Sequence, residues 1–137
     1  MHVESLDHIH IYASDPHESA RFYERHFEAK EVHRNTAEDG KVQLFLALGN
    51  QIVVVASFPG GMTPAAPPDS GDGAYAHGFG VAHFGLRVLD IAAAIQELRD
   101  GDVRILTEQC QGFSGLEYAY IAAPDGVVIE LTQYQVP

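Results

Sequence analysis

The chain has 137 residues, of which 46% are hydrophobic and 20% charged, and its formal net charge is −11 at pH 7. This size fits one domain, or two small halves that share one core. Eight Lys and Arg residues argue against a nucleic-acid partner, whose phosphates need such cations, and one cysteine excludes an intrachain disulfide. No segment resembles a signal peptide or a membrane span, so we expect a cytoplasmic protein without membrane contact.

The first half of the chain is predicted to contain a strand, a helix and three further strands. Residues 3–13 alternate apolar and polar side chains with period two, which indicates a strand. Asp15 is a suitable helix N-cap before Pro16, and a helix is predicted to follow. The further strands are predicted over residues 29–35, 41–48 and 51–58. Asp39-Gly40 and Gly49-Asn50 supply the turns between them.

The second half repeats this order after a connecting loop over residues 59–80, which is rich in Gly and Pro. Residues 81–88 predict a strand, and Asp90 is a suitable cap for the helix that follows. Three more strands are predicted over residues 102–108, 117–123 and 127–134. We therefore expect one domain over residues 1–137, with module one at about 1–58 and module two at about 81–137.

Each module opens on a similar stretch around a histidine. The first reads Asp7-His8-Ile9-His10-Ile11, and the second reads Ala82-His83-Phe84-Gly85-Leu86. In both stretches an aspartate follows the first histidine by seven residues, and the two histidines lie 75 residues apart. A duplicated fold that brings both strands to a shared centre would place two imidazoles at one site.

Glu130 is an isolated charge in the apolar strand Val127-Val128-Ile129-Glu130-Leu131. Alternation places it on one strand face with Val128 and Thr132. An unpaired carboxylate on a closed apolar face is costly, and a metal, a cation or open water removes that cost. Together with His8 and His83, Glu130 completes a set of two histidines and one carboxylate. Such a set suits one divalent ion of Fe, Ni, Co, Zn or Mn and leaves positions open for water and substrate.

These features resemble the vicinal oxygen chelate superfamily, which includes glyoxalase I, methylmalonyl-CoA epimerase, extradiol dioxygenases, and fosfomycin and bleomycin resistance proteins. The resemblance rests on Leu6-Asp7-His8-Ile9-His10-Ile11, Ser19-Ala20-Arg21-Phe22-Tyr23, Ala82-His83-Phe84-Gly85-Leu86-Arg87-Val88 and Ala123-Pro124-Asp125-Gly126-Val127-Val128-Ile129-Glu130-Leu131. It implies an α+β fold, in which two βαβββ modules form a curved mixed sheet around a metal-binding cleft. It also implies that His8, His83 and Glu130 hold a metal that chelates two neighbouring substrate oxygens.

Lyases and epimerases of this superfamily usually add a fourth ligand on the fourth strand. Aligning Gly49 with Gly126 puts Val53 opposite Glu130, with Val54 as the nearest alternative, and neither valine binds metal. This departure leaves three roles open for His10: a fourth ligand, a general base or a residue that lines the cleft. We predict His10 and Glu130 as the catalytic residues. Further cleft residues are predicted at Gln51, Tyr118 and Tyr120.

The leading interpretation is a divalent-metal-dependent enzyme of the glyoxalase or epimerase type. Such a lyase or isomerase promotes proton transfer next to a metal-chelated carbonyl of a small molecule with adjacent oxygens. The alternative is a non-haem Fe(II) dioxygenase, which a site of two histidines and one carboxylate also matches. A metal-free drug-binding resistance protein is less favoured, because the three ligands are present. Superfamily modules pair within or between chains, and we expect a homodimer.

Overall fold

The structure is a computed structural model that describes residues 1–64 and 79–134. The chain divides into two compact units, residues 1–64 and residues 65–137, hereafter unit one and unit two. The division falls within the predicted connection 59–80, of which residues 65–78 lie outside the described residues. Each unit contains one helix and four strands in the order βαβββ. The prediction of an α+β fold built from two βαβββ modules is therefore confirmed.

Unit one forms a four-stranded mixed sheet with one helix against it. Its elements are β1 His8–Ala13, α1 Pro16–Phe27, β2 Lys30–Thr36, β3 Val42–Leu48 and β4 Gln51–Ser57. The strand order is β1-β4-β3-β2, with β1 parallel to β4 and the other neighbours antiparallel. The first and last strands of the unit are therefore hydrogen-bonded neighbours.

The first helix begins and ends at positions that local chemistry explains. Asp15 caps it by accepting a hydrogen bond from the Glu18 amide at 3.1 Å, as its sequence position predicts. The helix ends at Glu28, whose backbone takes the left-handed conformation with φ of 57°. The buried residues of α1 are Ser19, Ala20 and Tyr23, and the helix packs against β3 and β4. Beneath the helix lie the almost fully buried residues Leu44, Leu46, Val53 and Val55.

Unit two repeats this architecture. Its elements are β5 Phe84–Arg87, α2 Ile91–Asp100, β6 Ile105–Gln111, β7 Leu116–Ala122 and β8 Val128–Tyr134. The strand order β5-β8-β7-β6 has the same parallel pair, β5 with β8. Asp90 caps α2 through the Ala93 amide at 3.0 Å, and Ile95 and Leu98 of this helix are buried. No helix in the described parts of the two units is long and apolar enough to cross a membrane.

Three predicted strand starts are wrong, among them that of the fifth strand, which begins at Phe84 rather than at residue 81. The first strand begins at His8 rather than at residue 3, because the parallel register pairs His8 with Ile52, one residue after β4 begins. Residues before His8 therefore have almost no partner strand. The sixth strand begins at Ile105 rather than at residue 102. Asp102 has φ of 62° and donates its amide to Arg99, so the chain is still leaving α2 at that point.

Truncation of Leu46 tests the core of unit one. Leu46 has 0% exposure, and we expect Leu46→Ala to lower the free energy of unfolding by about 2–5 kcal/mol through lost burial and a residual cavity. Val32 of the same sheet is 59% exposed, so the matched Val32→Ala variant should change the free energy of unfolding by less than about 0.5 kcal/mol. Urea unfolding of both variants provides the measurement. An equal decrease in the free energy of unfolding for both variants would show that the helix-covered face is not the core.

Candidate metal centre

Each sheet has one face that its helix covers and one face that carries no helix of its unit, here called the helix-free face. In unit two, Ile129 and Leu131 have 0% exposure and belong to the helix-covered core. Glu130 alternates with them along β8 and therefore points to the helix-free face. The register pairs Tyr120 with Glu130, so both side chains share this face, and Tyr118 follows on the same side of β7.

His83 and Glu130 contact each other on the helix-free face. The Nε2 atom of His83 lies 3.0 Å from Oε2 of Glu130, and the two side chains are only 27% and 18% exposed. Gly85 stands beside Glu130 in the parallel register, and a Cβ at Gly85 would lie 3.9 Å from that oxygen. That distance is ordinary van der Waals contact, so the Gly85 backbone lies close beside the carboxylate. The Tyr120 ring packs edge-on against the His83 ring at 5.1 Å, and Tyr118 lies 5.7 Å from Tyr120.

The donor atoms of this pair fit two neighbouring positions around a divalent ion. Nitrogen and oxygen ligands lie about 2.0–2.2 Å from such an ion, so two ligands at tetrahedral or octahedral angles stand about 3.0–3.5 Å apart. The observed 3.0 Å between Nε2 of His83 and Oε2 of Glu130 is at the short end of this range. Two ligands do not complete a metal site. Among the described residues, no group of three or more His, Cys, Asp or Glu side chains is arranged to hold a metal.

His8 opens β1 in unit one, at the position that His83 occupies just before β5. Its Nδ1 atom lies 2.7 Å from a carboxylate oxygen of Asp7, and its side chain is 46% exposed. A carboxylate on one ring nitrogen fixes the ring and leaves the other nitrogen for a ligand, the usual arrangement of metal-binding histidines. His8 therefore presents Nε2 for coordination. Its place in a shared site with His83 and Glu130 stays a prediction.

The sheet registers identify which residue of unit one corresponds to Glu130. Gly85 pairs with Glu130 in unit two, and the equivalent pair in unit one is His10 with Val54. The counterpart of Glu130 is therefore Val54, and not Val53, which the alignment of the turn glycines favoured. The reason is the preceding turn, which has two residues between Leu48 and Gln51 but three in unit two, Pro124–Gly126. Neither valine offers a metal ligand, so the absence of a fourth ligand on β4 is unchanged.

The predicted cleft residues of the fourth and seventh strands are placed differently. Tyr118 and Tyr120 lie on the helix-free face with Glu130. Gln51 shares its side of β4 with Val53 and Val55, the helix-covered side, whereas His8 and His10 stand beside Ile52 and Val54 on the other. The register therefore does not favour Gln51 as a cleft residue. Its Oε1 atom is buried without a hydrogen-bond partner.

Unit one contains a cavity that the sequence did not indicate. The cavity has a volume of about 400 Å³ and lies beside β1, with His10, Tyr12, Asn35, Lys41 and Gln43 among its lining residues. Strand alternation could have marked Gln43 as a polar position between the buried residues Val42 and Leu44. Its neighbours Asn35 and Tyr12 come from other strands, so only the sheet register places them together.

Comparison with known proteins identifies the family. The sequence model of the Glyoxalase/Bleomycin resistance protein/Dioxygenase superfamily matches residues 5–131. Two βαβββ units, with a histidine at the first strand of each and a histidine–glutamate pair in the second, agree with this match. The chain belongs to this superfamily, and the resemblance drawn from its motifs is confirmed. A search of curated protein sequences found no match.

Solved structures of the same fold come from proteins with different activities. The trypanothione-dependent glyoxalase I of Leishmania major is 24% identical, with a TM-score of 0.70 over 96% of this chain and 87% of that chain. The fosfomycin resistance protein FosX from Listeria monocytogenes, in complex with Mn(II) and sulfate, is 12% identical, with a TM-score of 0.69 over 98% and 96%. The antibiotic-binding protein TnmS3 from Streptomyces sp. CB03234 is 19% identical, with a TM-score of 0.71 over 98% and 99%. At these identities the likeness shows the fold.

Proposed function

We propose that the chain is a divalent-metal-dependent enzyme of the glyoxalase type. It would act as a lyase or isomerase that moves a proton on the carbon beside a carbonyl group, in a small molecule with adjacent oxygens. The observation that carries this proposal is the contact between His83 and Glu130 at 3.0 Å on the helix-free face of unit two. A histidine and a carboxylate at this distance, both largely buried, are suited to share a cation.

His8, His83 and Glu130 would hold the ion, with His8 supplied by unit one of the same chain or of a second copy. A divalent ion in this place would act as a Lewis acid that stabilises negative charge on a substrate oxygen. The superfamily relative FosX supports a metal requirement, because its structure contains Mn(II). Fe, Ni, Co, Zn and Mn all accept this set of ligands, so the ligand types do not choose between them.

His10 is proposed as the general base. Its side chain lies on the same face of β1 as His8, roughly 6.5–7 Å further along the strand, which is long for sharing one ion but suitable for reaching a bound substrate. The ring packs edge-on against Tyr12 at 5.0 Å and lines the cavity of unit one. An imidazole that takes a proton from carbon needs this access to the ligand. Glu130 is the second candidate, if it leaves the ion during the reaction.

A non-haem Fe(II) dioxygenase is the alternative that one specific observation favours. Val54 stands where a fourth ligand would be expected, and oxygenases of this type use two histidines and one carboxylate with open positions. The fold likeness to TnmS3 keeps a metal-free binding protein as a further candidate. The His83–Glu130 pair favours the metal-dependent enzyme over this candidate, because a histidine and a carboxylate side by side are ligands for a divalent ion.

Two measurements on one preparation separate these functions. Metal analysis of protein purified without added metal identifies the ion. Exchange of the carbon-bound protons of hydroxyacetone in D₂O, followed by NMR, detects proton transfer next to a carbonyl whatever product the enzyme forms. Oxygen uptake with catechol detects the alternative. Exchange without oxygen uptake is the expected result, and oxygen uptake with iron in the protein would replace the lyase or isomerase with a dioxygenase.

Removal of any proposed ligand should release the metal. We expect His8→Ala, His83→Ala and Glu130→Ala each to lower metal affinity on the order of 10²-fold or more, since each removes one of three ligands. His17→Ala provides the control, because His17 is an exposed histidine of α1. Competition with a chromophoric chelator measures the affinity. Full metal occupancy in Glu130→Ala would exclude Glu130 from the site.

Removal of the proposed base should separate metal binding from catalysis. His10→Ala is expected to keep its metal and to lose on the order of 10²-fold or more in the exchange rate, the usual contribution of a general base. His17 is an exposed histidine of α1 that does not line the cavity, so His17→Ala is the control and should keep the wild-type rate. A wild-type rate in His10→Ala would mean that His10 only lines the cavity.

A homodimer is proposed for the active form. Both sheets end in edge strands, β1 and β2 in unit one and β5 and β6 in unit two, and such edges are commonly covered by pairing. Sedimentation equilibrium at micromolar concentration should give twice the chain mass of 14.9 kDa. A single-chain mass under these conditions would contradict the dimer, and the ligands would then have to come from one chain.

A further inference from the structure

We infer that the cavity of unit one binds a small organic carboxylate. Its floor is a row of four side chains that crosses the whole sheet on the helix-free face. The registers pair Tyr12 with Ala56, Ala56 with Gln43, and Gln43 with Asn35. Ala56 is the smallest member and stands between two larger ones. The gap above it lies between strands whose backbones are roughly 10 Å apart, which leaves room for a flat ring.

At one end of this row, hydrogen bonds fix the orientation of the Asn35 and Gln43 side-chain amides. His33 Nε2 lies 2.9 Å from Asn35 Oδ1, and that oxygen can only accept, so the imidazole donates to it. Asn35 Nδ2 in turn donates to Gln43 Oε1 at 3.1 Å. Because the Gln43 oxygen is engaged, the group that Gln43 offers to a ligand in the cavity is its NH₂, which donates. The cavity therefore presents a donor where a carboxylate oxygen needs one.

The positive charge of Lys41 at the cavity also favours an anionic ligand. Among the described residues that line the cavity, Lys41 is the one that carries a full charge, in a chain with a net charge of −11. Its side chain runs along the backbone at Gly60, where Cε lies 3.4 Å from the position of a Cβ. No carboxylate of the described residues pairs with the Lys41 ammonium. The neighbouring cation Arg34 is occupied by Glu31, at 2.6 and 2.9 Å.

The other side of the row suits a flat apolar body. The Tyr12 ring is held edge-on between the rings of His10 and Phe58, at 5.0 Å from each, yet Tyr12 is 51% exposed. An aromatic residue fixed in place with half of its surface uncovered is suited to stack on a ligand. A volume of about 400 Å³ lies within the range of small-molecule sites. A carboxylate with a flat ring fits both sides.

This inference names a substrate class for the proposed enzyme and, in that sense, rests on the proposed function. The binding itself depends only on residues of unit one. The test therefore uses the full chain after removal of metal with EDTA, and benzoate is the probe. Benzamide, which has the same ring but no charge, is the matched ligand control. Binding is followed by NMR titration of the side-chain amides of Asn35 and Gln43 and of the His10 ring.

We expect benzoate to shift these signals with saturation and benzamide to bind about tenfold more weakly, at equal ionic strength. Lys41→Met should weaken benzoate binding about tenfold, the effect of one charge-assisted hydrogen bond. Lys30→Met is the variant control, because Lys30 is the other lysine of the chain and does not line the cavity. Gln43→Leu should weaken binding severalfold, and the amide spectrum of each variant reports whether it is folded.

Equal affinity for benzoate and benzamide, or an unchanged affinity in folded Lys41→Met, would overturn the carboxylate site. Its failure is distinguishable from failure of the proposed enzyme, because no metal is present in the titration. Loss of benzoate selectivity with intact metal binding by His8, His83 and Glu130 would remove only the substrate class. Selective benzoate binding by a chain that holds no metal would leave the carboxylate site and remove the enzyme.

Discussion

The parallel pairing between the first and last strands of each unit is the constraint on which the placement of the polar side chains depends. It joins β1 to β4 and β5 to β8, and so sets residues beside each other that are more than forty positions apart in the chain. A slip by one residue would turn Glu130 toward α2 and expose Ile129 and Leu131. Such a slip costs the burial of two apolar side chains and buries a charge, so the register is strongly specified.

The two units keep one backbone plan and differ in the side chains of a single register pair. In unit two, a glycine stands beside a glutamate, and the carboxylate of that glutamate reaches His83. In unit one, His10 stands beside Val54, so this face of the β1–β4 pair has histidines and no acid. The duplication therefore yields a histidine–glutamate pair on the helix-free face of unit two and none at the equivalent strand positions of unit one, so the symmetry of the backbone does not extend to the chemistry.

Local signals in the sequence predicted most of the fold. Period-two alternation marked the strands, and Asp15 and Asp90 marked the helix starts, because a cap acts on amides within the next three residues. The sequence also singled out His83, as the counterpart of His8, and Glu130, as an isolated charge in an apolar strand, and the structure brings these two side chains into contact. The choice of Val53 over Val54 was wrong because an aligned glycine does not report turn length, and the turn of unit two has one more residue. The cavity could not be predicted, because the row from Tyr12 to Asn35 is assembled from four strands.

The first strand carries residues of both proposed sites, the metal ligand His8 and the cavity residues His10 and Tyr12. His8, His10 and Tyr12 stand on one face of β1 at intervals of two residues, so roughly 13–14 Å separates the first from the last. His10 borders the cavity at one end and follows the proposed ligand His8 at the other. If a molecule bound with its carboxylate beside Gln43 and Lys41, its other end could extend along β1 past His10. The binding energy of the anionic end would then hold the reacting carbon near the base, which lowers the entropy cost of proton transfer.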